Sequence, residues 1–219
     1  NLSSLEPIKL EIINKIIEII DSKTESKNII ITGSFLKKGF NFNDIDILII
    51  NELNEIKENP KQTKEIHKAI ENTLGIKPHI IVIDNKSLIK GLCTDPLYQM
   101  MLSQYVSKNR IIYNIKNELN YKLLDLQLLK SKSIIINWDT LNGNEKYYLT
   151  RNMLSISLFL KNKKVNDNEL EKEIKQSLNT TSEKIKQNLL NKTNFLKDYK
   201  KTYNLLFNKL MKGIKDGSK

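Results

Sequence analysis

Two short apolar runs, joined by a polar excursion, constrain this chain more than any other feature. The first is Asn28-Ile29-Ile30-Ile31-Thr32, which ends at Gly33-Ser34. Nine residues later the chain reads Asp44-Ile45-Asp46-Ile47-Leu48-Ile49-Ile50. Runs of this length, rich in β-branched residues, read as buried strands. The excursion between them carries Lys37, Lys38 and Gly39. A buried strand therefore delivers the chain to Gly33, and a second strand receives it at Asp44.

This spacing has chemical consequences. Glycine at position 33 lets the backbone approach a ligand closely, because no Cβ intervenes. Backbone amides and the Ser34 hydroxyl at such a turn suit phosphate oxygens. Asp44 and Asp46 stand two apart on a strand, so both project from one face while Ile45 and Ile47 project from the other. Adjacent carboxylates repel unless a cation lies between them. Hard oxygen ligands on a rigid element suit Mg²⁺ (or Mn²⁺) brought in with a nucleoside triphosphate. A lone Gly-Ser or a lone acidic pair reads equally well as a turn or a solvated strand edge. The combination between two apolar strands is far more specific.

The surrounding pattern predicts a helix over Pro7–Ile20, with Ile8, Ile12, Ile16, Ile19 and Ile20 on one stripe. A polar loop is expected over Asn51–Lys61, then a helix over Thr63–Leu74 closed by Gly75. A third strand follows over Pro78–Asp84, and helices over Ser87–Leu92 and Asp95–Val106. Arg110–Tyr113 reads as extended. From Glu118 the spacing is helical, over Tyr121–Leu129, Tyr147–Leu160, Glu169–Leu178, Ile185–Leu190 and Phe195–Leu210, with Ser133–Trp138 an apolar interruption. The predicted division is 1–115 for an α/β unit and 116–219 for a helical one.

Charge divides along the same line. Residues 1–100 carry 13 lysines and 14 acids, whereas residues 101–219 carry 23 lysines and arginines and 11 acids. A basic half beside a neutral one suggests a polyanionic partner, such as RNA, or a solvated lysine-rich surface. The chain is also poor in alanine and arginine: Ala69, Arg110 and Arg151 are the only ones. That bias weakens any reading of a single lysine. The lone Cys93 excludes an intrachain disulfide and, with only His67 and His79, a structural zinc cluster. No apolar run is long enough to cross a bilayer. No basic and apolar leader is legible from Asn1, and a cytoplasmic location is the expectation.

Gly33, Ser34, Asp44 and Asp46 together resemble the Gly-Ser … Asp-x-Asp signature of polymerase-beta-type nucleotidyltransferases. The order helix, Gly-Ser strand, Asp-x-Asp strand, helix, strand is similar as well. The resemblance implies an α+β chain, with a small mixed-sheet nucleotidyltransferase core followed by an all-α C-terminal domain. It also implies a divalent metal on Asp44 and Asp46, a nucleoside triphosphate donor and transfer of a nucleotidyl group. The family usually carries a third carboxylate near the start of the later strand. Here the matching position is His79, a candidate ligand or base, with Asp84 at the far end of the strand a less favoured substitute.

Weaker candidates are Lys37 and Arg151 as nucleotide contacts, and Trp138, Tyr147 and Tyr148 as base-stacking residues that more often fill a core. Phe195, Tyr199, Tyr203 and Phe207, spaced by four, read as core packing with lysines on the wet side. Three functions follow: nucleotidyl transfer to RNA (a tRNA or another 3′ end), transfer to a protein or small molecule, or a degenerate nucleotide-binding module.

Overall fold

A computed structural model describes residues 5–51 and 60–216 of the chain. The fold is α+β, with a small mixed sheet in the first half and helices in the second. The chain packs as two compact units. The first comprises residues up to Gly91 together with Gln104–Ile115, and the second comprises Leu92–Ser103 together with residues from Lys116 onward.

In the first unit, α1 (Pro7–Asp21) starts at a proline, whose fixed φ suits the first helical position. The strands β1 (Asn28–Thr32), β2 (Asp44–Asn51), β3 (Lys77–Asp84) and β4 (Tyr105–Ser107) form one sheet in the order β3-β2-β1-β4. β1 is antiparallel to both β2 and β4, and β2 is parallel to β3. A parallel pair needs a long crossover, and α2 (Pro60–Leu74) lies between these two strands in sequence. Residues 52–59 of the predicted polar loop lie outside the described residues.

Alternation along β2 decides what its two faces do. Ile45, Ile47 and Ile49 join Ile29 and Ile31 of β1, Ile13, Ile16 and Ile20 of α1, and Ile66 and Ile70 of α2 in one core. Each such fully buried side chain contributes roughly 1.5–3 kcal/mol. Asp44 and Asp46 occupy the alternate positions and so point away from that helix-covered core.

Two local expectations are corrected here. The α1 stripe is rotated: Lys9, Ile13, Ile16 and Ile20 are buried, while Ile8 is 48% exposed. Lys9 is drawn inward by partners in the 37–39 loop. The predicted helix over Asp95–Val106 is confined to α4 (Pro96–Met101), and Tyr105–Ser107 instead forms β4 on the open edge of β1. Pairing with a distant strand there overrides local helical spacing. Arg110–Tyr113 has no regular structure, and the backbone of neighbouring Asn109 is held at both N–H and C=O by the Asn28 side chain.

The second unit is helical. After α3 (Asn85–Thr94), of which only the residues from Leu92 belong to this unit, and α4 come α5 (Tyr121–Ser131), the one-turn α6 (Ser133–Ile136), α7 (Gly143–Leu160), α8 (Asp167–Leu178), α9 (Ser182–Lys186) and α10 (Lys192–Asp216). Asn142 and Glu145 close a reciprocal capping box at the start of α7. Nearly every residue from Thr150 to Leu160 is buried, which makes α7 the central helix of its unit. Met100 of α4 joins that core, which places Leu92–Ser103 with the later helices.

The aromatic stripe on α10 is core over Phe195, Tyr199 and Tyr203, while Phe207 is 38% exposed. Each step of four overshoots the helical turn by about 40°, so the buried line passes to Leu206 and Leu210. Trp138 is buried against Phe195, with ring centroids 5.4 Å apart. Among the described residues no helix is long and apolar enough to cross a membrane.

Candidate active site

The Gly33 turn and the Asp-x-Asp strand meet at one point. Gly33 has φ +86° and ψ −162°, a combination that only glycine adopts readily. A Cβ built on Gly33 would stand 2.1 Å from Asp46 Oδ2. The Asp46 carboxylate therefore lies directly over the Gly33 backbone, and any side chain at 33 would displace it. β1 and β2 bring this about through their register, which sets Thr32 opposite Asp46.

Beyond Gly33 the chain makes a 3-10 turn over Ser34–Leu36, in which Lys37 N–H donates to Ser34 O at 3.0 Å. Phe35 is fully buried and meets Phe42 edge-to-face at 5.0 Å. This anchor holds the turn to the core and leaves Ser34 exposed. Lys37 is exposed in the same loop.

On the other side of β2, the parallel register places His79 opposite Asp46. Its Nδ1 lies 2.9 Å from Asp46 Oδ1. The imidazole is 61% exposed and the Asp46 side chain 33% exposed, so the pair opens to solvent. One Asp46 oxygen thus faces His79 and the other faces Gly33. Asp44, half-buried, lies two residues earlier on the same face.

Asp84 does not take part. It pairs in register with Asn51 at the opposite end of β3 from His79. Its carboxylate accepts from the Ser87 hydroxyl at 2.6 Å and the Ser87 N–H at 2.7 Å, capping α3. Those bonds, the hydroxyl first, hold its carboxyl below the usual range.

Arg151 stands in the second unit on α7, with its guanidinium carbon 5.4 Å from the centroid of the Tyr148 ring. Tyr147 is half-buried beneath Lys186, and Tyr148 is 47% exposed.

Two residues at this loop were not foreseen from the sequence. The Lys9 Nζ donates to Lys37 O at 2.5 Å and Gly39 O at 2.6 Å, and Glu6 Oε1 accepts from Gly39 N–H at 2.7 Å. The available signal was a lysine in line with Ile13, Ile16 and Ile20, on a helical face that otherwise reads as core.

Among the described residues, no three His, Cys, Asp or Glu side chains converge into a ready-made metal cluster. Two carboxylates on one face with open surroundings still fit Mg²⁺, which keeps several waters and takes further oxygens from substrate phosphates.

Residues 13–123, about half of the chain, match the family model described as Nucleotidyltransferase domain. The matched span holds Gly33, Ser34, Asp44, Asp46 and His79. Searches of curated proteins and of solved structures give no match.

Proposed function

The chain belongs to the nucleotidyltransferase domain family, and from that premise we propose that it moves a nucleoside monophosphate from a nucleoside triphosphate to an acceptor hydroxyl on RNA. The observation that carries the reading is the seating of Asp46 over Gly33 beside Asp44. This brings two carboxylates and a side-chain-free stretch of backbone to one place.

In this reading Asp44 and Asp46 hold Mg²⁺ or Mn²⁺. The metal, when bound, offsets phosphate charge and steadies the pyrophosphate leaving group. The rest falls to the chain's own residues. The Ser34 hydroxyl, exposed at the head of the turn, donates to a phosphate oxygen. Gly33, which carries no Cβ, leaves room for the Asp46 carboxylate to sit against the backbone beside the phosphate-binding turn. His79 donates its Nδ1–H to Asp46, which fixes the carboxylate and leaves Nε2 with a free lone pair. Nε2 then takes the proton of the acceptor hydroxyl as its oxygen bonds to the α-phosphorus and the bond to pyrophosphate breaks.

The choice of RNA, a tRNA or another 3′ end, rests on charge. The excess of basic over acidic residues falls in residues 101–219. On α10, Lys197, Lys200, Lys201, Lys209, Lys212 and Lys215 are all exposed. Such a surface would release counterions on binding phosphates.

The test is incubation with each labelled nucleoside triphosphate, Mg²⁺ and total cellular RNA or protein. Label in RNA, lost when the α10 lysines are changed to glutamine, supports the proposal. Label in protein or a small molecule moves the acceptor. No label with any nucleotide favours the binding-module reading that His79 raises.

A further inference from the structure

A lysine buried to 0% exposure inside a stripe of isoleucines is an expensive way to fill space. A buried ammonium is tolerated only when paired and hydrogen-bonded. Isoleucine fills the equivalent positions 13, 16 and 20 of the same helix, so packing alone does not explain position 9. The Lys9 ammonium reaches the carbonyls of Lys37 and Gly39 and lies 3.2 Å from Glu6 Oε2. The rings of Phe35 and Phe40 lie 5.7 and 5.2 Å from it. Glu6, the residue that caps the start of α1, accepts the Gly39 N–H. The Gly39 residue is thus gripped at both its N–H and its C=O, by two side chains of one helix end. Both grips fall on the loop that runs from Gly33 and Ser34 to β2.

We propose that Lys9, with Glu6, is a positioning residue that clamps the 37–39 segment to α1 and so holds the Ser34 turn in the shape that receives the triphosphate. The inference rests on the proposed nucleotide site but adds a residue outside it. Lys9 touches no substrate. It acts by fixing three peptide units whose own sequence, Lys-Lys-Gly, supplies no rigidity. Phe35 anchors the start of the loop in the core. Phe42, which meets Phe35 edge-to-face, anchors its end, and Lys9 and Glu6 grip the stretch between these two rings.

One of the two carbonyls that Lys9 holds belongs to the Lys37–Lys38 peptide bond, a trypsin site. Two independent readouts follow on the full chain: the rate of trypsin cleavage after Lys37, and the affinity for fluorescently labelled ATP with Mg²⁺. Lys9→Met keeps the stem and removes the amine. It is expected to speed cleavage after Lys37 and to weaken ATP binding by about tenfold or more, the scale of one lost charge-assisted hydrogen bond. Ile13→Val on the same stripe is the control for general destabilisation and should change neither. Glu6→Ala, which removes only the Gly39 N–H grip and the ion pair, should shift both readouts in the same direction, and it serves if Lys9→Met does not fold.

Unchanged cleavage in the Lys9 and Glu6 variants overturns the clamp. Faster cleavage with unchanged ATP affinity overturns its role in nucleotide binding. If the unaltered chain binds none of the four common nucleoside triphosphates, the proposed function fails and the nucleotide role with it, while the cleavage rates still decide whether the clamp exists.

Discussion

Replacing Gly33 by alanine tests the site's geometry with a single methyl group. Two separable penalties are expected. The backbone at φ +86° and ψ −162° lies in a region that is essentially glycine-only, and forcing another residue there costs about 1–3 kcal/mol. The added Cβ would also stand 2.1 Å from Asp46 Oδ2, so the carboxylate must swing away and give up its contact with His79. That contact is partly exposed, so its own contribution is small. The steric coupling between residues in contact is about 0.5–3 kcal/mol.

A four-corner cycle separates the terms. In an Asp46→Ala background the nearest Asp46 atom left is Cβ at 3.4 Å, an ordinary contact. Gly33→Ala should then cost only its backbone share. Denaturant unfolding of the four proteins gives the coupling directly. Nucleotidyl transfer by Gly33→Ala should fall about as far as in an Asp46 variant, roughly 10²-fold or more, because Asp46 is displaced. Equal stability losses in the two backgrounds would refute the argument that Asp46 requires glycine at 33.

Asp44→Asn and Asp46→Asn should each lower turnover roughly 10²-fold or more while the fold persists; near-normal turnover with labelled nucleotide would remove them from the site. His79→Ala should lower the maximal rate by about 10²-fold, the lower end for loss of a general base, and an unchanged rate would leave His79 as an orienting neighbour only. Ser34→Ala should weaken nucleotide binding more than it lowers stability, measured by titration and melting of the same sample. Glu6 gives a pH prediction: the Gly39 N–H foremost, then its own backbone N–H and Lys9, bring its carboxyl down from 4.5 to about 2. A depressed carboxyl stabilises the fold fully above its unfolded value, so the Gly39 tether should hold at neutral pH and be lost as pH falls from about 4.5 towards 2. The amide resonance of Gly39 should titrate with the folded carboxyl, at the low end of that range, about 2, and one that moves with a midpoint near 4.5 would argue against the tether.

Much of the first unit was legible because its signals are local. β1, β2 and β3 each contain a short apolar run, and Gly75 marks the end of α2 as its backbone preference dictates. The Gly-Ser and Asp-x-Asp residues could be named because side-chain direction on a strand depends only on parity. What escaped depended on partners distant in sequence. Tyr105–Ser107 is a strand only because β1 has an open edge to pair with. Lys9 faces inward only because carbonyls 28 and 30 residues away meet it. The placement of His79 against Asp46 depends on the parallel register of β2 and β3, which no local pattern specifies. Phe207 left the core because a four-residue spacing drifts around a helix of 3.6 residues per turn.

The features least favourable to folding gather in one corner of the first unit. Gly33 holds a backbone conformation closed to other residues, Asp44 and Asp46 set two carboxylates on one strand face, and Lys9 keeps an ammonium under the loop between them. The core that the isoleucines of α1, α2, β1 and β2 form does not depend on the two carboxylates, which project from the other face of the sheet. A strand reading Ile-Ile at positions 44 and 46, with an apolar residue at 9, would satisfy the same packing more cheaply. Sequences break local rules mainly where another demand outweighs stability. Here the broken rules share one geometry: Lys9 fixes the loop, the loop carries Gly33, and Gly33 admits Asp46. Each term would be a liability alone. Together they leave a carboxylate open to solvent against the Gly33 backbone, an arrangement that suits the phosphate-bearing substrate and the metal we propose.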